Sequence, residues 1–431
     1  MARLFSLCYP PTWRKGIEVG QIKLTKRSAP CHCELLMKMS LRSKLAALAF
    51  GCLVSALLLE CLLRIYNPFY TQVHSSDLWL RRTKVETQRL NTPGLDSYIV
   101  IHRNSLGFRG PAPPEHFSEY LTFLTIGGST TECSFQGDNR AWPDLVAGHL
   151  NRSLRNVWLN NAGIAGHSTF GHIILLENYV IKLRPKVAVF LVGCNDVEIL
   201  APTPQYDDMI RHRKMLFSSV GAIASSLAQY SEAVACIYTV GRYVKIGSKA
   251  WRALDPEFRL LPPRYLSLSD TDIGRVKQAH RDIYLPGYRA RLLKIAGLCR
   301  GSGIEPVFIT QPYLFGEGKD ERTGVDLALF ETGPGSNGRM DWEVLEMYND
   351  AVRALAEEQS VPVIDLARQM AKSSRYFFDD VHYTNEGVEL VARLIYVELN
   401  EWLKRRFPEY AREPGSSGSD VTRTQPELRV R

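Results

Sequence analysis

The sequence predicts an α/β protein: a parallel sheet with helices on both faces, preceded by one membrane-spanning helix. Three patterns carry this reading. Short apolar runs at 121–126, 157–160, 187–192, 306–310 and 361–366 have the length and composition of buried strands. Stretches at 141–152, 168–183, 275–300, 342–358 and 385–405 show helical spacing, and such strand–helix alternation implies a parallel sheet covered on both sides. The segment 45–63, LAALAFGCLVSALLLECLL, is nineteen residues long and holds one charge, Glu60.

A helix of that length rises about 28 Å, close to the hydrocarbon thickness of a bilayer. Glu60 lies three places from its end, where it can pair with Arg64 one turn on instead of sitting at mid-bilayer. Tyr66, Phe69 and Tyr70 follow as interfacial anchors, so the span is taken over 45–65. Residues 1–44 hold nine Lys and Arg against Glu18 and Glu34, a net +7, leaving +1 of the formal +8 for the rest of the chain. The positive-inside rule then puts this tail in the cytoplasm and the remainder in the periplasm or outside the cell. The same charge balance leaves the body no basic surface for nucleic acid. A cleaved signal peptide would need small residues at its cut site, and Leu-Glu-Cys-Leu-Leu-Arg supplies none. A lipoprotein cut before Cys52 would follow Ala49-Phe50-Gly51, a poor match to the lipid-attachment pattern. A buried core helix is disfavoured by the strong basic flank together with the complete lack of helix-face polarity.

The composition, 45% hydrophobic and 23% charged over 431 residues, excludes a collagen-like, wholly disordered or multi-spanning protein. Nine cysteines show no paired spacing. Cys31-His32-Cys33 has the residue types of a metal pair, but thiols one residue apart do not comfortably reach one zinc. Beyond the span lie Cys133, Cys194, Cys236 and Cys299, which an oxidising compartment would allow to form one or two disulfides, the pairing left open. Residues 66–98 read as a polar stalk, and the turns Asn104-Ser105-Leu106-Gly107-Phe108-Arg109-Gly110 and Pro111-Ala112-Pro113-Pro114 lead into the first strand. Residues 201–272 interrupt the alternation, and the tail 411–431 has the composition of a disordered segment.

In doubly wound sheets, ligands gather at the carboxyl ends of the strands, so the residues just after each strand matter most. The first strand ends in Gly127-Gly128-Ser129-Thr130-Thr131, which would place a hydroxyl at a helix N-terminus; taken alone, Ser129 reads as an N-cap. The second is followed by Asn161-Ala162-Gly163-Ile164-Ala165-Gly166-His167-Ser168 and the third by Gly193-Cys194-Asn195-Asp196. Asp379-Asp380-Val381-His382 stands before the last helix, and its Asp-x-x-His spacing lets a carboxylate curl back to the imidazole. Singly, each of these is a loop of small or polar residues.

Together and in this order, the four segments resemble the four blocks of the SGNH (GDSL-like) hydrolase superfamily, in its membrane-anchored bacterial type. Gly127-Gly128-Ser129-Thr130 resembles the nucleophile block, the 161–166 segment the glycine block, Gly193-Cys194-Asn195-Asp196 the Gly-x-Asn-Asp block, and Asp379-x-x-His382 the acid–base block. Trp142-Pro143 and the Asn-Ser-Leu-Gly-Phe-Arg-Gly turn add to the likeness. One departure is Gly128, where the family carries Asp; that Asp is not the triad acid, so the catalytic set is intact while the stiffness of the loop and substrate preference are altered.

The resemblance implies a three-layer α/β/α, flavodoxin-like sheet over 99–410, with 201–272 a helical insertion beside the site. It implies a serine esterase with Ser129, Asp379 and His382 as the catalytic triad and an oxyanion hole of the Ser129 N–H, the Gly166 N–H and the Asn195 amide. No cofactor and no metal is called for. Were 220–244 a second span, Ser129 and His382 would lie on opposite sides of the membrane, so this apolar stretch is expected to be a lid or binding wall. The location implies O-acyl esters of envelope glycans or lipids, O-acetyl esters among them. Two rivals stand beside the esterase: an O-acyltransferase using the same residues, and a binding or assembly protein that keeps the fold without catalysis.

Overall fold

The computed structural model describes residues 40–66, 85–200, 231–237 and 260–412, in two units that divide after Ile65. The basic tail up to residue 39, most of the expected stalk (67–84), most of the expected insertion (201–230 and 238–259) and the tail from 413 lie outside the described residues. In the first unit, Leu41–Ile65 (α1) is one helix of 25 residues whose most apolar 18-residue window has mean hydropathy 2.3, long and apolar enough to cross a membrane. It starts earlier than position 45 because Ser40 caps it, accepting the Ser43 N–H on its hydroxyl at 3.2 Å and the Lys44 N–H on its carbonyl at 3.0 Å. Glu60 pairs with Arg64 at 2.7 Å, as the spacing of four implies.

The second unit opens with an antiparallel hairpin of Val85–Arg89 (β1) and Tyr98–His102 (β2). The stretch read as a stalk, 66–98, thus carries a strand of the folded unit. Val-Glu-Thr-Gln-Arg has no apolar alternation to announce it; its order comes from pairing with β2. Leu121–Gly127 (β3), Val157–Asn161 (β4), Val187–Val192 (β5) and Glu305–Thr310 (β6) then form the central parallel sheet. After a small ribbon of Glu331–Gly333 (β7) and Ser336–Asn337 (β8), the sheet's fifth strand is Val363–Ile364 (β9). The order β4-β3-β5-β6-β9, counted within the sheet as 2-1-3-4-5, is the flavodoxin-like winding. The last strand is shorter than the expected 361–366 because Asp365 turns aside to accept from Thr310 Oγ1 at 2.9 Å and from Arg353.

The helices are Ser129–Glu132 (α2), Trp142–Ser153 (α3), Thr169–Leu175 continuing through a π turn to Leu183 (α4), and Asp270–Ala279 continuing through a π turn to Gly301 (α5). Gly338–Gln359 (α6), Leu366–Gln369 (α7) and Asn385–Arg406 (α8) follow. Helix α5 begins at Asp270 because Ser269 caps it, accepting the Asp272 N–H at 3.1 Å. Its π turn at His280–Tyr284 precedes Pro286, which has no N–H to donate one turn back. Within the expected insertion, 232–237 is helical, and Leu260 onward already belongs to the body: Leu260 is buried and Tyr265 bridges Phe330.

Strand residues alternate between two cores, as a pleat of period two requires. Phe123, Val187, Val189 and Val307 face α3 and α8, whose Trp142, Val146, Val391 and Ile395 are fully buried against them. Leu124, Ala188, Phe190 and Phe308 face α4, α5 and α6 through Leu176, Leu292 and Tyr348. Every residue of β3 and β5 is buried, which explains their unbroken apolar character. The winding reverses between β3 and β5, and the carboxyl ends of these two strands are where such a sheet binds ligands.

Candidate active site

The β3 end is shaped by two glycines. A Cβ on Gly127 would stand 2.1 Å from Thr131 Oγ1 and 2.9 Å from the Leu191 carbonyl, so the chain passes there only without a side chain. Gly128 caps a single helical turn, α2, in which Ser129 is the first residue and half-buried; Cys133, in the left-handed conformation, ends it. Trp142 Nε1 donates to the Thr130 carbonyl at 3.0 Å, tying α3 to this turn.

At the other side of the site, Asp379 Oδ1 accepts the backbone N–H of Val381 at 2.9 Å and of His382 at 2.6 Å. Its Oδ2 lies 2.6 Å from His382 Nδ1, and His382 Nε2 lies 2.7 Å from Ser129 Oγ. With Nδ1 directed at a carboxylate, Nε2 of the neutral ring is the acceptor, and Ser129 donates to it. The ring is stacked on Phe378 and met edge-on by Phe135. Burial acts to lower the His382 pKa, but the hydrogen bond and charge of Asp379, with Asp380 adding to them, hold it above its ordinary value. Burial likewise acts to raise the Asp379 pKa, and the hydrogen bonds and charge of His382 overcome it, so this carboxylate titrates below the usual range. Asp380 goes the other way, pushed up to about 6 by burial and by its neighbour Asp379; it makes no bond to the imidazole.

The third loop is a tight turn. His167 N donates to the Ile164 carbonyl at 3.1 Å, with Ala165 and Gly166 between them and φ of +75° at Gly166. A positive φ at the third position and not at the second is the type II pattern, which favours glycine there. The loop is held from behind by the Ala162 N–H to the Thr125 carbonyl, the Gly163 N–H to Asn161 Oδ1, the Ile164 N–H to the Gly127 carbonyl and the Ala165 N–H to Glu132 Oε2. From the β5 end, Asn195 Nδ2 donates to the His167 carbonyl at 3.0 Å and lies against Gly128, where a Cβ would come within 2.2 Å of it. Asp196 beside it accepts the Thr169 N–H and pairs with Arg291 at 3.3 Å, fixing the loop to α4 and α5. All five residues expected at the site, Ser129, Gly166, Asn195, Asp379 and His382, therefore sit on loops at one end of the sheet.

Sequence reasoning missed the supports. Arg109, 1% exposed, donates to four carbonyls, those of Glu132, Cys133, Gln136 and Gly137, at 2.7–3.0 Å. The Gly-Phe-Arg-Gly turn was its only trace in the sequence. Cys133 and Cys194, two of the four cysteines beyond the span, are both free thiols: one donates to the Thr130 carbonyl, the other to Gln311 Oε1. Burial pushes the Cys133 thiol up to about 12. Among the described residues, no three His, Cys, Asp or Glu side chains gather where they could hold a metal ion.

No curated protein matches the chain. Among solved structures it is similar to Axe2, an acetylxylan esterase from Geobacillus stearothermophilus, at 16% identity and a TM-score of 0.36, over 64% of this chain and 93% of that one. It is also similar to a lipolytic G-D-S-L family protein from Desulfitobacterium hafniense, at 10% identity and a TM-score of 0.34, over 64% and 98% of the two chains. Likeness at this level does not extend to substrate. The model of the GDSL-like lipase/acylhydrolase family matches residues 125–390, which take in all four loops described above. That is more than half of the sequence, and the chain belongs to this family of SGNH ester hydrolases.

Proposed function

We propose that the chain is a membrane-tethered serine esterase in which Ser129 is the nucleophile, His382 the base and then the acid, and Asp379 the group that orients the imidazole. The observation that carries this reading is the continuous line of hydrogen bonds from Asp379 through His382 to Ser129, 2.6 Å and 2.7 Å long. Ser129 Oγ attacks the ester carbonyl carbon while its proton passes to His382 Nε2. Asp379 stabilises the imidazolium that results. The tetrahedral oxyanion is held by the N–H of Ser129, the N–H of Gly166 and the amide of Asn195. Each such donor is worth about 2.7–4 kcal/mol in the transition state. As the intermediate collapses, the alkoxide leaves with the proton from Nε2. Water, activated by the same nitrogen, then releases the acid and restores Ser129.

The apolar helix α1 supports a tether, and the basic tail before it supports a site on the far side of the membrane from the cytoplasm. A tethered esterase meets esters at a surface, which favours O-acyl groups of envelope glycans or lipids, O-acetyl groups among them. The test is to treat the folded full-length chain with a serine-directed fluorophosphonate and to assay p-nitrophenyl acetate. The expected result is a label on Ser129 and turnover that Ser129→Ala abolishes; unaltered turnover in that variant overturns the reading. Products formed from an activated acyl donor with a glycan acceptor present separate the rivals, free acid marking a hydrolase and acylated glycan a transferase. Neither label nor turnover would leave a binding protein.

A further inference from the structure

We infer that Glu132 is a positioning residue for the oxyanion hole, acting through the Ala165 N–H on the peptide that carries the Gly166 N–H; the inference rests on the catalytic reading above. Glu132 is the last residue of the one-turn helix that begins with Ser129, and it is 1% exposed. Its Oε2 accepts the Ala165 N–H at 2.8 Å, while Oε1 pairs with Arg103 Nη2 at 2.9 Å. A carboxylate in that position would be expensive to bury without Arg103, which is itself buried and follows directly after β2. Glu86 on β1 stands 3.8 Å from the same guanidinium nitrogen. The hairpin, of which only β1 read as stalk, thus leads directly to the cation that makes the buried acceptor tolerable.

The link matters because of the turn it holds. Ala165 and Gly166 are the two central residues of the type II turn, and the peptide between them points opposite ways in types I and II. Reversal of that peptide would swing the Gly166 N–H away from the reacting carbonyl. Ala165 is itself exposed, so burial of its own side chain does not fix the turn. Its anchor is the N–H of the preceding peptide, which enters the protein to meet Glu132 and fixes the backbone from which the 165–166 peptide hangs. The nucleophile and one oxyanion donor are thereby locked to each other through four residues of chain and one hydrogen bond.

Two double variants of the full-length chain test this, because both delete the ion pair and differ only in whether an acceptor remains. With Arg103→Met in each, Glu132→Leu removes the acceptor for Ala165 N–H and Glu132→Gln keeps one. The Leu variant is expected to lose 10- to 100-fold in kcat on p-nitrophenyl acetate with KM changed less than threefold. Its affinity for a phenylboronic acid, whose serine adduct resembles the tetrahedral intermediate, should fall by a similar factor. The Gln variant should recover at least tenfold of any hundredfold loss. Equal kcat in the two variants, both folded by circular dichroism, overturns the inference. Amide exchange in the wild-type chain gives an answer independent of how the variants fold: the Ala165 amide should exchange at least 100-fold more slowly than an open amide, and fast exchange sinks the proposal. Loss of the catalytic reading itself would show separately, as turnover that survives Ser129→Ala.

Discussion

The side-chain amide of Asn195 rests against the α-carbon of Gly128 so closely that a Cβ there would stand 2.2 Å from Nδ2. The family's usual Asp at this place is replaced by the one residue that allows that contact. The same Nδ2 donates to the His167 carbonyl at 3.0 Å, so moving the amide aside would also strain that bond. Gly128→Ala should therefore displace the amide and cut kcat about 10- to 100-fold with a small change in melting temperature. Asn195→Ala should cost about 100- to 1,000-fold, the price of one oxyanion donor. The double variant should be no worse than Asn195→Ala alone, since both act through one group. Additive losses in steady-state kinetics would show that Gly128 acts in some other way.

Gly166 offers the opposite case, because a Cβ there meets nothing within 4 Å among the described residues. Any loss in Gly166→Ala must come from the backbone, which holds φ at +75°. A left-handed conformation costs an L-residue about 1–2 kcal/mol, and a type I turn relieves it by reversing the preceding peptide. Turnover is expected to fall at least tenfold while the melting temperature changes by a few degrees. Wild-type kcat in this variant would remove the Gly166 N–H from the oxyanion hole.

The acid limb of the pH profile follows from His382. Its proton is bound more tightly than in an ordinary histidine, since Asp379 and Asp380 outweigh burial. The base must be neutral, so kcat/KM should rise with pH through a value above 6.5 and disappear on the acid side. Asp379→Asn removes the principal stabilising charge and should move the limb to lower pH as well as lowering the plateau. A profile flat from pH 8 to pH 4 would contradict the role given to His382.

Arg109 tests support without chemistry. Four carbonyls around the nucleophile turn share its guanidinium, and all lie in the interior. Arg109→Met should destabilise the fold by about 3 kcal/mol or more, because each abandoned acceptor loses its partner away from water. Arg109→Lys should recover only part, since one ammonium cannot span the four positions. The denaturation midpoint measures both, and a loss under about 1 kcal/mol in the Met variant would show that water replaces the guanidinium.

The chain's local order determined much on its own. Five buried strands, the alternating helices, an apolar segment at 45–65 and the five residues expected to carry the chemistry are each read from neighbouring positions along the chain. Turn glycines, a hydroxyl after a strand and an Asp three places before a His need only local geometry to be read. What tertiary structure alone decided are the contacts made across the chain: Ser129 to His382 over 253 positions, Arg109 to the turn at 132–137, Glu132 to Ala165, and β1 to β2. A buried polar group takes whatever partner the fold brings to it, and sequence spacing carries no record of that choice. For the same reason, Val-Glu-Thr-Gln-Arg, polar and without period, passed as stalk until its partner strand gave it a ladder.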